Sequence, residues 1–166
     1  MQRDESDTLP ISGGVAQAFA RLGPAPVPTA APLPVLGLGL RPLRLMVVED
    51  EPQVARSIRD TVEDLGHRVC GIAHSEQEAI LLADRERPDL ALMDVRLAAG
   101  GDGIMAARRL AAGYGIRSIF LSGYADHGTM RQLTETYPLG VVHKPFSTAQ
   151  LKSALDLAGR RLRLRP

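Results

Sequence analysis

From residue 43 onward, short runs of β-prone apolar residues alternate with segments whose apolar positions recur at helical spacing. The runs LRLMVV (43 to 48), RVCGIA (68 to 73), DLALMDV (89 to 95), RSIFLS (117 to 122) and LGVV (139 to 142) predict strands. They are short and nearly continuous in apolar character, the pattern of strands covered on both faces. Between them, Val54, Ile58, Val62 and Leu65 fall on one helical face, as do Ala79, Ile80 and Ala83, and then Ile104, Ala107, Leu110 and Ala111. A shorter, more polar helix is predicted over 126 to 136, and a last one places Leu151, Ala154, Leu155, Ala158 and Leu162 on one face. The alternation predicts an α/β fold, (βα)5, doubly wound around a five-stranded parallel sheet with right-handed crossovers. In such sheets ligands gather at the carboxyl ends of strands, near a topological switch point.

The first 42 residues do not share this pattern. Six of the twelve prolines lie in PAPVPTAAPLPVLGLGLRP (24 to 42), which can form neither a helix nor a central strand and is expected to run extended and mobile. Before it, VAQAFARL (15 to 22) has room for two turns of helix, marginal unless docked. Gly37 and Gly39 resemble a fragment of a dinucleotide loop, but they precede a strand instead of following one, and Pro42 stands close behind. The expected organisation is an N-terminal extension and linker over 1–42, one domain over 43–158, and a basic tail over 159–166.

Composition narrows the class. The chain of 166 residues suits one ordinary domain with a core. The 43–158 segment carries 13 basic and 16 acidic side chains and is mildly acidic, while GRRLRLRP concentrates four arginines at the end. That tail reads as a solvated helix end before it reads as a nucleic-acid contact. A single cysteine, Cys70, excludes an internal disulfide and suits a reducing compartment. No apolar stretch is long enough to span a membrane, and MQRDESD does not resemble a signal peptide, so a cytoplasmic protein is expected.

The first strand ends in three consecutive carboxylates, Glu49, Asp50 and Glu51. Like charges gathered at the edge of a core are costly unless something compensates them. Reading the other strand ends adds Asp94, Ser122 and Lys144. Carboxylates converging with room for water and phosphate describe a hard, oxygen-loving cation such as Mg²⁺. Lys144 offers a positive charge to a carboxylate or a phosphoryl oxygen, and Ser122 a hydroxyl donor. The chemistry implied is phosphoryl transfer to Asp94. Glu51 reads as a first-turn helix acid, not a ligand. His67, His74, His127 and His143 show no ligand spacing with each other or with Cys70 and read as structural or solvated.

The segments VVEDEP (47 to 52), LMDVRL (92 to 97), DG (102 to 103), FLSGY (120 to 124) and HKPF (143 to 146) together resemble the receiver domains of two-component response regulators, in order and in spacing. The resemblance implies a flavodoxin-like sheet order, 2-1-3-4-5. It implies Asp94 as phosphoacceptor, Glu49, Asp50, Asp94 and the Arg96 backbone carbonyl around Mg²⁺, and Ser122 and Lys144 on the phosphoryl group. It also implies a cis bond between Lys144 and Pro145. The expected partner is a histidine kinase, or a histidine phosphotransfer protein, with a downstream protein contact in place of DNA binding and a monomer or weak dimer as the assembly. FLSGY with an aliphatic residue at 141 is similar to the FAT GUY class of single-domain receivers, often served by HWE-type kinases.

Three features depart from the family pattern. Val141 stands where receivers commonly carry an aromatic switch residue, the usual proline after the acceptor is absent, and RLAAGGDG (96 to 103) reads as a longer, flexible glycine-rich loop. Arg96 and Tyr124 occupy the positions that flank the attacking water in the family, and both are large. The rival readings are a pseudo-receiver that works without phosphorylation, for which the acidic cluster is too complete, and a Mg²⁺-dependent phosphohydrolase, for which DVRLA lacks a second acid.

Overall fold

The computed structural model describes residues 41–97, 101–123 and 127–163. In chain order the elements are β1 (Arg44–Val48), α1 (Pro52–Asp64), β2 (Arg68–Ala73), α2 (Glu76–Glu86), β3 (Leu90–Asp94), β4 (Arg96–Leu97), β5 (Gly101–Asp102), α3 (Gly103–Tyr114), β6 (Arg117–Ser122), α4 (His127–Glu135), β7 (Gly140–His143) and α5 (Thr148–Arg163). Five strands form one parallel sheet in the order β2-β1-β3-β6-β7. Setting aside the two short strands β4 and β5, this is the 2-1-3-4-5 order expected. The strand order reverses between β1 and β3, so the crevice of the fold opens at their carboxyl ends.

Apolar strand residues divide between two cores because successive side chains point to opposite faces. In β1, Met46 and Val48 join a cluster with Leu82, Leu110, Phe120 and Leu133, the side of α2, α3 and α4. Leu45 and Val47 join Ile58, Val62, Leu151 and Leu155, the side of α1 and α5. Both clusters are closed to water, with Phe120, Leu45, Leu92 and Ile119 among the largest fully buried side chains. The continuous apolar strands in the sequence are thus a consequence of covering both faces.

Local signals end the elements where they should. Pro52 opens α1, where its missing N–H costs nothing. Ser75 caps α2 by accepting from the Glu78 N–H, and Asp102 caps α3 by accepting from Ile104 and Met105. Gly115 closes α3 in the left-handed region. The last helix runs to Arg163, so the first arginines of the basic segment are helical, and Arg161 donates to the Leu139 carbonyl.

Where a flexible loop was expected after the acceptor, both ends of the loop pair instead. Arg96 faces Asp102 and Leu97 faces Gly101 in a short antiparallel ladder, with Leu97 buried in the α2–α3 core. The anchor is an apolar residue in a glycine-rich stretch that local composition alone reads as unstructured. Ala98 to Gly100 lie outside the described residues. Just beyond the ladder, α3 begins against the backbone of β3. Gly103 donates its N–H to Val95, and a Cβ at position 103 would collide with the Asp94 carbonyl oxygen.

At the opposite end of the sheet, Asp89 receives both arms of the Arg41 guanidinium at 2.7 and 3.0 Å and the Arg44 N–H at 2.8 Å. Burial works to raise its pKa, but these donors outweigh burial and hold it below its ordinary value of 3.8. A carboxyl depressed in the fold adds stability above its unfolded value, which is lost as pH falls through the folded value. Arg41 is largely solvated, so the contribution is set at the level of an exposed pair.

Two predictions follow from these contacts. Asp89→Asn should lower stability by about 0.5–1 kcal/mol at neutral pH, and the deficit should vanish as pH falls well below 3.8. Urea midpoints across that range check it, and a deficit that persists in acid would reject the charge assignment. Gly103→Ala should cost about 1–3 kcal/mol through the clash with the Asp94 backbone. Gly113→Ala, in the same helix with open space around it, should be neutral or stabilising by up to about 1 kcal/mol. Equal effects of the two changes would sink the argument from close approach.

Candidate functional site

The carboxyl ends of β1, β3, β6 and β7 bring the polar residues of the sequence motifs to one place. Val48 is level with Met93, Asp94 with Leu121, and Ser122 with His143, so Glu49, Asp94, Ser122 and Lys144 all fall at the same edge of the sheet. Parallel register thus does what no local sequence feature could, gathering residues from 49 to 144 around a single crevice.

At its centre is the Lys144 ammonium, 2.7 Å from Glu49 Oε2 and 2.6 Å from Asp94 Oδ2. The Lys144–Pro145 bond is cis, and the Lys144 N–H donates to the Ser122 carbonyl. Asp94 Oδ1 accepts the Arg96 N–H at 3.1 Å. Asp50 completes the acidic group: one oxygen each from Glu49, Asp50 and Asp94 lie within 4.8 Å of one another. Glu51 stands apart, at the N-cap of α1 with no capping bond from its side chain.

Two carboxylates share one ammonium, and the consequences differ for the partners. Burial lifts the Glu49 carboxyl above its ordinary range, and the nearby Asp94 charge adds to that, while Lys144 offsets it in part. Burial also pulls on Lys144, in the downward direction, but its bonds to Asp94 and Glu49 raise its pKa overall. The ammonium has more than enough negative charge and each carboxylate less than full compensation. Taken with Asp50, the site is short of positive charge.

Glu49, 2% exposed, is held at every polar atom. Its N–H donates to the Ala73 carbonyl, Oε1 accepts the Glu51 N–H, Oε2 takes Lys144, and its carbonyl oxygen lies 2.8 Å from His74 Nδ1. The sequence pattern did not single out His74, because its partner is a backbone atom. The available signal was the SEQE stretch after it, a helix start that fixes its position.

Ser122 contrasts with Glu49. It is 1% exposed, yet its hydroxyl has no hydrogen-bond partner among the described residues. An orphaned buried hydroxyl is uncommon and calls for an explanation. It lines a cavity of about 230 Å³ together with Asp94, Val95, Arg96, Gly123 and Lys144. His143 is exposed and borders a different depression, with Val141 and Gln150. Val141 packs as a partly buried residue on the α2–α3 core. Tyr124 lies outside the described residues.

Comparison with known proteins agrees with this architecture. The family model of the response regulator receiver domain matches residues 45–156. Phyllosphere-induced regulator PhyR of Methylorubrum extorquens is 32% identical over 115 residues, 69% of this chain and 42% of that protein. Transcriptional regulatory protein PdtaR of Mycobacterium tuberculosis is 30% identical over 122 residues, 74% of this chain and 59% of that one. The chain therefore spans about half the length of these curated relatives. The signal receiver domain of a modulated diguanylate cyclase from Desulfovibrio desulfuricans has a TM-score of 0.70 at 31% identity, covering 75% of this chain and 99% of that one. PhyR from Brucella abortus gives 0.64 at 35% identity, covering 74% and 49%. Among the described residues no helix is long and apolar enough to cross a membrane. With its sheet order, its strand-end cluster and a family match over most of its length, the chain belongs to the response regulator receiver family.

Proposed function

We propose that the chain is a phosphoacceptor: residues 43–158 take a phosphoryl group from a phosphohistidine, on a histidine kinase or a phosphotransfer protein, onto Asp94. The carrying observation is the cavity in which Asp94, a lysine ammonium and an unpartnered buried serine hydroxyl meet. A carboxylate oxygen of Asp94 forms the new bond to phosphorus as the phosphorus–nitrogen bond of the donor breaks, and the leaving imidazole takes up a proton. Lys144 holds Asp94 in place and then faces a phosphoryl oxygen, and the Ser122 hydroxyl donates to another. Receivers are regulatory modules and not classical enzymes, so the output is a protein contact or onward passage of the phosphate, in the cytoplasm, with nucleic acid not required.

The donor set fits Mg²⁺. Glu49, Asp50 and Asp94 offer oxygen ligands close together, with the Arg96 backbone carbonyl as a fourth, and the shortage of positive charge around Glu49 favours a divalent ion. When bound, the ion supplies positive charge against the phosphoryl oxygens. Beside the site, Val54, Ile58, Pro145 and Phe146 line an open depression that also touches Lys144, an apolar surface on which the donor protein can rest.

Asp94→Asn should abolish labelling by acetyl phosphate while leaving the urea midpoint unchanged or raised, because the amide keeps the shape, lacks the nucleophile and removes a charge from the cluster. Labelling retained in this variant would overturn the acceptor assignment. The phosphorylated chain should lose its phosphate slowly, because Arg96 and Tyr124 are large residues at the two sequence positions that flank the attacking water in the family, and each ~1.4 kcal/mol of lost placement slows hydrolysis about tenfold. Arg96→Asn combined with Tyr124→Ala should accelerate the decay of purified phosphoprotein. An unchanged decay would remove the shielding argument and leave the acceptor in place.

A further inference from the structure

His74 occupies a position that the acceptor chemistry described above leaves without a role. Its ring Nδ1 lies 2.8 Å from the carbonyl oxygen of Glu49. A carbonyl can only accept, so Nδ1 carries the proton and donates. The histidine is itself fixed from behind. Its backbone N–H donates to the Glu78 carboxylate at 2.8 Å, and the Glu78 N–H donates to Ser75 Oγ at 3.2 Å. These reciprocal bonds are a variant of the box that starts helices, displaced by one residue so that the carboxylate holds His74 and not the cap itself. A continuous set of contacts therefore runs from the first turn of α2 through the imidazole to the backbone of the residue that begins the acidic cluster.

Glu49 and Asp50 follow directly on β1, at the point where the sheet ladder ends. The last ladder contact there is the Glu49 N–H to Ala73, 3.0 Å. After it the Glu49 carbonyl, whose peptide unit also contains the Asp50 nitrogen, has no strand partner among the described residues. A water bond would satisfy this carbonyl but would leave the peptide plane free to rotate, and rotation swings the Asp50 side chain relative to that of Glu49. We infer that His74 is a positioning residue for the divalent cation: by donating to the Glu49 carbonyl it sets the Glu49–Asp50 peptide plane, and with it the spacing of the two carboxylates. The inference rests on the reading of the acidic cluster as a Mg²⁺ site. His74 is not among the proposed ligands of the ion and does not line the cavity at Asp94, so its effect would be carried by backbone orientation.

The imidazole can be replaced by groups that separate the two nitrogen positions. Asn places an amide N–H near Nδ1, Gln places one further out, near Nε2, and Phe keeps the ring without a donor. The experiment measures the Mg²⁺ dissociation constant of the full chain and of His74→Phe, His74→Gln and His74→Asn by calorimetry, with the urea midpoint of each as a separate readout. Loss of an outer bond to a metal-binding residue commonly weakens metal affinity by about ten- to a hundredfold. The expected result is the lower end, about a tenfold loss in His74→Phe and His74→Gln, recovery in His74→Asn, and urea midpoints that do not follow the same order. Equal Mg²⁺ affinities in all four proteins would overturn the inference, and so would a His74→Asn variant as weak as His74→Phe, or losses that simply track stability. Asp50→Asn is the control for the underlying reading. If the unaltered chain bound no Mg²⁺, or bound it equally well with Asp50→Asn, the cation site itself would fall and this inference with it. Mg²⁺ binding that depends on Asp50 but not on His74 would remove the inference alone.

Discussion

The structure depends on keeping several carboxylates together at the edge of an apolar sheet. Glu49 is almost fully enclosed, and an unpaired carboxylate in that position would be forced to protonate or to open the site to water. Lys144 provides the compensation, bridging Glu49 and Asp94 across 95 and 50 residues of sequence. Removing the ammonium would leave the enclosed Glu49 charge behind without its partner, a loss that typically costs on the order of 3–5 kcal/mol for a buried pair. One ammonium cannot answer three carboxylates, and that residual imbalance is the physical ground for the cation proposed to bind there.

Around this centre the fold converts chain topology into geometry. Parallel strands present all their carboxyl ends on one side, and the reversal of order between β1 and β3 leaves the gap into which those ends project. The surroundings are fixed with unequal firmness. Glu49 is held through its N–H, its carbonyl and both side-chain oxygens, and α3 is brought against the Asp94 backbone by a glycine. Ser122 is buried with its hydroxyl unused. The acidic side and the unused hydroxyl border one cavity, which leaves a hydrogen bond there for the phosphoryl oxygen of the proposed reaction to complete.

Much of this could be read from the order of residues alone. Continuous apolar runs alternating with helical spacing determined the α/β class, because a strand covered on both faces must be apolar throughout and a surface helix on one face only. Glu49, Asp50, Asp94, Ser122 and Lys144 could be named because they are chemically conspicuous at the ends of such runs and fall in the order of a known family. Features that depend on contacts between distant backbone atoms stayed hidden. The β4–β5 ladder forms in a stretch whose composition reads as loop, since it is anchored by the burial of Leu97 and not by local propensity. Residue types did not reveal the contact of His74, because its bond goes to a carbonyl, a group every residue carries.

The sequence by itself determined the class of fold, the chemical inventory of the strand ends and the family to which they belong, because periodicity and residue chemistry are local properties. Tertiary structure decided which carboxylates share the one ammonium, which hydroxyl remains without a partner, and how the Glu49 backbone is tied to the start of α2. Those outcomes depend on distances of a few ångströms between segments far apart in the chain, and they are fixed only once both cores have packed and the strands have taken their register.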